Sequence, residues 1–356
     1  MDKRHFERRR EKLRPLMRRA GIQALLVTCD ANRFYLSGFE LHDTQANESS
    51  GCVIVTLDGK DWLCTDARYQ EAAGRLWEGD RIFIYQGNGM EQINGLMQDR
   101  LSGIIGFEAH YISVAAFDRL GEGLSMQRAD GMIESLRAVK EPEELVCLEK
   151  ACALNHRLME WVPEALLPGR TESEIAWDIE RFFRDHGAES LSFSSIVAVG
   201  GNAALPHAEP GDTPVKENCG VLVDVGCRLD RYCSDQTRTF WVGDAPDRQF
   251  IRDLECIKEA QAKAIALIRP DADAVTVYAA AKEHLASLGV GDLFTHGLGH
   301  GIGLQTHEAP SLGSRSTAKL QPGMVITVEP GLYRPGKSGL RWEYMVVVTE
   351  DGARIL

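Results

Sequence analysis

The sequence predicts a two-domain protein of the α/β (α+β) class whose second domain uses one helix-and-strand design twice. Three observations lead there. The chain has 356 residues, beyond the size at which a single hydrophobic core usually stops growing. From Gly21 to about Gly106, short β-rich runs alternate with helical or loop segments, the pattern of an α/β layer. Past residue 140 the helices lengthen, and two of the extended segments that follow them carry a histidine just before a proline.

Taken in order, the cationic start "KRHFERRREKLRPLMRRAG" spaces Phe6, Leu13, Leu16 and Met17 as the buried side of an amphipathic surface helix. No apolar stretch of the signal-peptide kind follows it, so an address signal is the weaker reading. The runs "IQALLVT", "GCVIVTLDG", "DWLCT", "RIFIYQG" and "GIIGFE" read as strands. In "IESLRAVKEPEELVCLEKACALNHRLMEWV" a charged extended stretch passes into a long helix with Pro142 suited to its first turn. The domain boundary therefore falls near residues 135 to 140, dividing the chain into 1–136 and 137–356. "TESEIAWDIERFFRDHG" is a complete helix: Thr171 caps it, Glu174 closes a capping box, Ile175, Ile179 and Phe182 share a face, and Gly187 stops it. "DADAVTVYAAAKEHLASLG" repeats the design. Each of these helices precedes one of the histidine segments, "LPHAEP" and then "QTHEAP", which suggests an internal duplication.

A formal net charge of −12 argues against nucleic acid or an anionic membrane as the main partner, because phosphate binding rests on surplus cations. No run of about 18 uninterrupted apolar residues occurs, so no membrane span is expected. A small or neutral substrate fits better. Nine cysteines, an odd number without a CxxC pair, suit reduced thiols, and the chain reads as cytoplasmic.

Chemistry concentrates near the C-terminus. In "THGLGHGIGLQTHEAP", a helix through His296 and His300 would lose roughly 1 kcal/mol at each of Gly297, Gly299, Gly301 and Gly303. An extended chain instead puts His296, Leu298, His300 and Ile302 on one side and leaves the other bare for a close backbone or ligand. On its own this stretch reads first as a mobile glycine loop with surface histidines. It is accompanied by carboxylates in unusual places. Asp224 sits inside the apolar run "VLVDVG", and Asp235 lies in the strand returning after the turn "RLDR", although a turn or capping aspartate also fits there. Glu329 ends "MVITVE", and Glu343 interrupts "LRWEYMVVVT", where Arg341 could neutralise it. One arginine cannot serve four acids. Two divalent cations can, since an unpaired buried ion costs several kcal/mol. Asp224, Asp235, His300, Glu329 and Glu343 thus resemble a two-metal hydrolytic site; such oxygen-rich ligation favours manganese, iron or cobalt without excluding zinc.

"LVDVG", "SDQTRTF", "HGLGHGIG", "HEAP", "VEPGLY" and "LRWE" resemble, in order and spacing, the pita-bread metallopeptidases that include aminopeptidase P and prolidase. The resemblance is strong from about residue 140 onward and looser before it, as a creatinase/prolidase-type N-terminal domain. It implies a C-terminal pita-bread domain of curved, mainly antiparallel sheet with pseudo-two-fold duplication. It further implies two divalent ions, manganese first: Asp224 on one, Asp235 and Glu343 bridging both, His300 and Glu329 completing the other. His207, His296 and His307 match the substrate-pocket histidines, and Arg341 a substrate-contacting or outer-layer arginine. The implied reaction is hydrolysis of the bond before proline in small peptides, by a hydroxide bridging two metals, with Glu329 moving the proton. The implied assembly is a homodimer. Ser311 stands where relatives commonly have tyrosine, and Tyr344 where an aspartate commonly follows the last glutamate. Alternatives are a hydrolase of another small C–N bond and a non-catalytic binding protein on the same fold.

Overall fold

In the computed structural model, which describes residues 3–43 and 48–356, helix α1 (Lys3–Arg19) buries Phe6, Leu13 and Met17, as the spacing predicts. It is not simply a surface helix. Leu16 is only half-buried, whereas Arg9, Arg10 and Arg14 are buried beside the apolar residues. Arg10 Nε and Arg14 Nη2 donate to Asp61 Oδ2 at 2.8 and 2.6 Å, and the Arg9 guanidinium lies 3.9 Å from the Tyr35 ring centroid. Long apolar stems let these cations serve as packing surface, which a hydrophobic pattern does not reveal.

The described chain forms two units, Met1–Arg137 and Ala138–Leu356. The first contains β1 (Ala24–Val27), α2 (Asp30–Ser37), β2 (Cys52–Thr56), β3 (Trp62–Asp66), α3 (Gln70–Leu76), β4 (Ile82–Tyr85), α4 (Gly89–Arg100), β5 (Ile104–Phe107), α5 (Val114–Leu120), β6 (Ser125–Arg128) and α6 (Met132–Ala138). The strands make one mixed sheet in the order β4-β3-β2-β1-β5-β6. Its core includes Leu26, Ile54, Cys64, Met97 and Ile105. Each of the five β-rich runs holds one of β1 to β5. Strand β6 leaves no signal in the sequence, because at the sheet edge it is largely exposed and carries no apolar alternation.

The second unit opens with α7 (Pro142–Ala165), where Pro142 occupies the first turn and Glu141 and Glu144 form a capping box. Helix α8 (Glu172–Asp185) has the Thr171–Glu174 capping box. Ile175 and Ile179 enter the core with Phe183, while Phe182 is half-buried and stacks on Trp161 at 5.3 Å. There follow β7 (Ser190–Leu191), β8 (Ile196–Val199), β9 (Cys219–Val225), β10 (Cys227–Leu229), β11 (Tyr232–Cys233), β12 (Gln236–Val242), α9 (Arg248–Ile265) and α10 (Ala274–Ser287). The chain ends with β13 (Gly299–Gly301), β14 (Glu308–Leu312), β15 (Val325–Val328), β16 (Gly331–Arg334), β17 (Ser338–Arg341), β18 (Tyr344–Val348) and β19 (Ala353–Ile355).

The strand pairings in this unit are antiparallel. Two helix-on-sheet halves result. Leu158, Ile179 and Phe183 pack on the β12-β9-β8 sheet through Val221 and Val223; Ile257, Val277 and Leu285 pack on the β14-β13-β15-β18-β19 sheet through Ile326 and Val346. Each such side chain contributes at most roughly 1.5–3 kcal/mol, so neither half lacks a core of its own. Among the described residues no helix is long and apolar enough to cross a membrane.

Candidate metal centre

Each half supplies part of one acidic cluster. Asp224 is in β9, opposite Thr237 of β12. The turn between them is elaborated into the β10–β11 hairpin, turning at Asp230 and Arg231 (φ 48° and 74°), and Asp235 immediately precedes β12. From the other half, Glu329 follows β15, Glu343 lies between β17 and β18, and His300 is the middle residue of β13. Asp224, Asp235 and Glu343 each offer an oxygen within 4.8 Å of the others. His300 Nε2 lies 3.6 Å from Asp235 Oδ2 and 3.4 Å from Glu329 Oε1. The five residues therefore meet at one place.

The ring of His300 is oriented for ligation. Its Nδ1 lies 3.0 Å from the Gly301 carbonyl, which accepts a proton bond and leaves the lone pair on Nε2. Burial lowers its pKa, keeping it neutral. A lone pair directed at two carboxylate oxygens is repulsive unless a cation or protons lie between them. Burial and then mutual repulsion push Asp235 and Glu343 well above the usual carboxylate range, and burial pushes Glu329 up to about 7. Asp224 Oδ1 and Glu343 Oε1 are buried without a hydrogen-bond partner, a condition costing about 1–3 kcal/mol per group. Orphaned oxygens, reluctant carboxylates and a correctly turned imidazole together fit a two-cation donor set.

Arg341 serves a different acid from the one considered above. It pairs with Asp224 (Nη2 to Oδ2, 2.6 Å), lies 3.9 Å from Glu329 Oε2, and makes no ion pair with Glu343. Glu343 Oε2 instead accepts from the Thr237 hydroxyl at 2.8 Å. The Arg341 fork also donates to Thr237 Oγ1 (2.9 Å), the Tyr333 hydroxyl (2.8 Å) and the Pro206 carbonyl (3.1 Å). Tyr333 in turn lies 2.9 Å from His296 Nε2, and His296 Nδ1 lies 2.6 Å from the Gly297 carbonyl. Its Nδ1 donates to that carbonyl, so Nε2 accepts from Tyr333. Burial, with Arg341 nearby, pushes the His296 pKa down to about 4.

These groups border a cleft of about 220 Å³, lined by Asp224, Asp235, His300, Glu329 and Arg341, by the histidines His207, His296 and His307, and by an apolar side of Phe193, Ile196 and Pro206. His207 and His307 are exposed, and the His307 ring lies 4.3 Å from that of His300. Bends at His296 and Leu298 break the shared face expected for "HGLGHGIG": the histidines line the cleft, but Leu298 and Ile302 are fully buried. The glycines do permit close approach, since a Cβ on Gly299 would collide with the Thr327 carbonyl and one on Gly301 with the Ala309 carbonyl. Ser311 is exposed and pairs with His300 across β13 and β14.

Thr237, Thr327 and Tyr333 join the site without being candidates from the sequence. Thr327 Oγ1 accepts from the His300 amide and donates to Glu329 Oε1, each at 3.1 Å. A lone hydroxyl inside "MVITVE" was the available signal. Thr237 and Tyr333 lie within "SDQTRTF" and "VEPGLY", but the partners that give them their roles lie in other segments.

Residues 146–350 match Metallopeptidase family M24, and residues 9–139 match the Creatinase/Prolidase N-terminal domain. An uncharacterized peptidase of Bacillus subtilis (strain 168), YqhT, is 34% identical over 349 residues, covering 97% of this chain and 96% of its own. The Xaa-Pro dipeptidase of Pyrococcus furiosus is 30% identical over 352 residues, covering 99% and 98%. The solved structure of the Xaa-Pro dipeptidase from Bacillus anthracis superposes with a TM-score of 0.92 at 31% identity, covering 98% of this chain and 97% of that one.

Proposed function

The chain belongs to metallopeptidase family M24, behind a creatinase/prolidase N-terminal domain, and on that premise we propose that it hydrolyses the peptide bond before proline in Xaa-Pro dipeptides and other short peptides. The observation that carries this reading is the convergence of His300 Nε2 with a carboxylate cluster in which Arg341 pairs with Asp224 and leaves Asp224 Oδ1 and Glu343 Oε1 buried without partners, in a cleft of about 220 Å³. A space below the roughly 300–1,000 Å³ of pockets for drug-sized ligands favours a dipeptide.

Asp224, Asp235, His300, Glu329 and Glu343 would hold two divalent ions, manganese first, with cobalt, iron or zinc as alternatives. When bound, such ions supply Lewis acidity and lower the pKa of water. The chain's own groups do the rest. Glu329, anchored by Thr327, takes the proton of the attacking water and returns it to the proline nitrogen. Neutral His296, together with the cleft residues His207 and His307, orients the scissile carbonyl and the proline residue. Arg341, which lines the cleft, holds Asp224 in place and is itself anchored by its hydrogen bond to the Tyr333 hydroxyl. A homodimer in the cytoplasm completes the reading, consistent with nine free cysteines.

The test strips the chain with a chelator, restores manganese or cobalt, and offers Xaa-Pro, Xaa-Pro-Yaa and proline-free peptides side by side. Metal-dependent cleavage of Xaa-Pro alone makes it a dipeptidase, and additional cleavage of Xaa-Pro-Yaa an aminopeptidase. Failure to cut either with metal present overturns the proposal.

A further inference from the structure

Arg238 of β12 is buried, yet among the described residues no carboxylate pairs with it. Its guanidinium carbon lies 4.3 Å from the Trp342 ring centroid and 4.4 Å from that of Tyr344, the two residues flanking Glu343. Its Nη1 donates to the Thr237 carbonyl at 2.8 Å and to the Glu343 carbonyl. Along this segment Arg341, Glu343 and Met345 are buried while Trp342 and Tyr344 are half-buried, so the carboxylate and the rings point to opposite sides. A second donor acts one residue earlier: Gln261 Nε2 binds the Trp342 carbonyl at 3.0 Å and the Val328 carbonyl, just before Glu329, at 2.6 Å.

We propose that Arg238, gripped by the rings of Trp342 and Tyr344, is a positioning residue that fixes the backbone of Glu343 and so the place of its carboxylate in the metal centre. A guanidinium stacks on aromatic faces while its edge remains free to donate, which a carboxylate partner would not allow in the same way. With tyrosine at 344, the edge of Arg238 stays directed at the Glu343 carbonyl; an aspartate there would form an ion pair and compete for it. The departure at Tyr344 thus gives the layer behind the ligands another way to hold them.

The inference rests on the metal-centre reading, and the experiment separates the two. The full-length chain is stripped of metal and titrated with Mn2+ alone by calorimetry, alongside Arg238→Met, Arg238→Lys, Tyr344→Phe and Tyr344→Ala. Arg238→Met and Tyr344→Ala are expected to bind the weaker Mn2+ about tenfold or more less tightly, with Arg238→Lys between them and the parent. Tyr344→Phe, which keeps the ring, is expected to stay within about twofold of the parent. In Xaa-Pro hydrolysis at saturating Mn2+, the loss should fall on kcat, with KM changed less than about threefold. Unchanged Mn2+ affinity in Arg238→Met overturns the inference, as does a variant that only unfolds at lower temperature while its folded form binds Mn2+ normally. Should Arg238→Met not fold, equal affinities in Tyr344→Phe and Tyr344→Ala overturn it. A parent chain that binds no Mn2+ overturns the metal-centre reading instead.

Discussion

Arg341 donates to Asp224 across 2.6 Å and thereby ties β17, near the end of the chain, to β9. Both side chains are buried, and Asp224 keeps its second oxygen without a partner. Removing one member of a buried pair typically costs about 3–5 kcal/mol, because the other charge is stranded. Arg341→Met should show that loss in urea unfolding of the metal-free chain. Arg341→Lys keeps the charge but not the fork, and should lower kcat/KM about 10–100-fold. A methionine variant as stable as the parent would refute the arrangement.

Glu343→Gln should have opposite effects with and without metal. Burial and neighbouring carboxylates oppose ionisation of Glu343, so a neutral amide should raise the thermal midpoint of the metal-free chain at pH 8, by about 2–4 °C per kcal/mol for a unit of this size. With saturating Mn2+ the order should reverse and activity vanish, as it should for Asp235→Asn. Calorimetry of both forms checks this, and a midpoint lowered in both contradicts it.

His307→Ala should leave the metals bound. The ring is exposed at the cleft and lies against His300 rather than among the carboxylates. KM is expected to rise about tenfold while Mn2+ stoichiometry is unchanged. Lost stoichiometry would move His307 into the ligand set.

Glu329 is pushed up to about 7, so between its ordinary 4.5 and 7 the native metal-free chain binds more protons than the unfolded chain. This contribution therefore lowers stability as pH rises through that window. His296, pushed down to about 4, acts oppositely and destabilises the native state as pH falls below 6.5. Metal must displace the carboxyl protons, so Mn2+ affinity should rise with pH from about 5.5 to 7.5, up to about tenfold per unit for each proton displaced. A flat profile by calorimetry would show that the carboxylates are already ionised.

Gly299→Ala should force β13 away from β15, because its Cβ would strike the Thr327 carbonyl and hydroxyl. The expected loss is about 1–3 kcal/mol of stability, with weaker Mn2+ binding as His300 moves. Gly313→Ala, whose Cβ meets nothing within 4 Å, should change stability by less than about 0.5 kcal/mol. Equal behaviour of the two variants would remove the steric argument.

Much of this architecture could be read along the chain because its causes are local. The Thr171–Glu174 capping box, Pro142 in a first turn, and the β-rich runs each depend on neighbours a few positions away. Asp224, Glu329 and Glu343 stood out for the same reason: a carboxylate between valines or beside a strand-forming run is costly wherever the chain goes. The failures were of the other kind. Phe183 took the core place expected of Phe182, edge strand β6 left no signal, and three arginines of α1 were buried among apolar residues.

The sequence by itself determined that acidic groups and a histidine would need cations, because the energy of burying charge belongs to residue type and immediate surroundings. Only the tertiary structure decided which partner each group received: Arg341 for Asp224 rather than Glu343, Tyr333 for His296, two aromatic rings for Arg238. Those choices fall between residues as much as 117 positions apart. Coulombic attraction and hydrogen bonding act over a few ångströms of space, so nothing in the order of the chain records them until the sheets have brought the groups together.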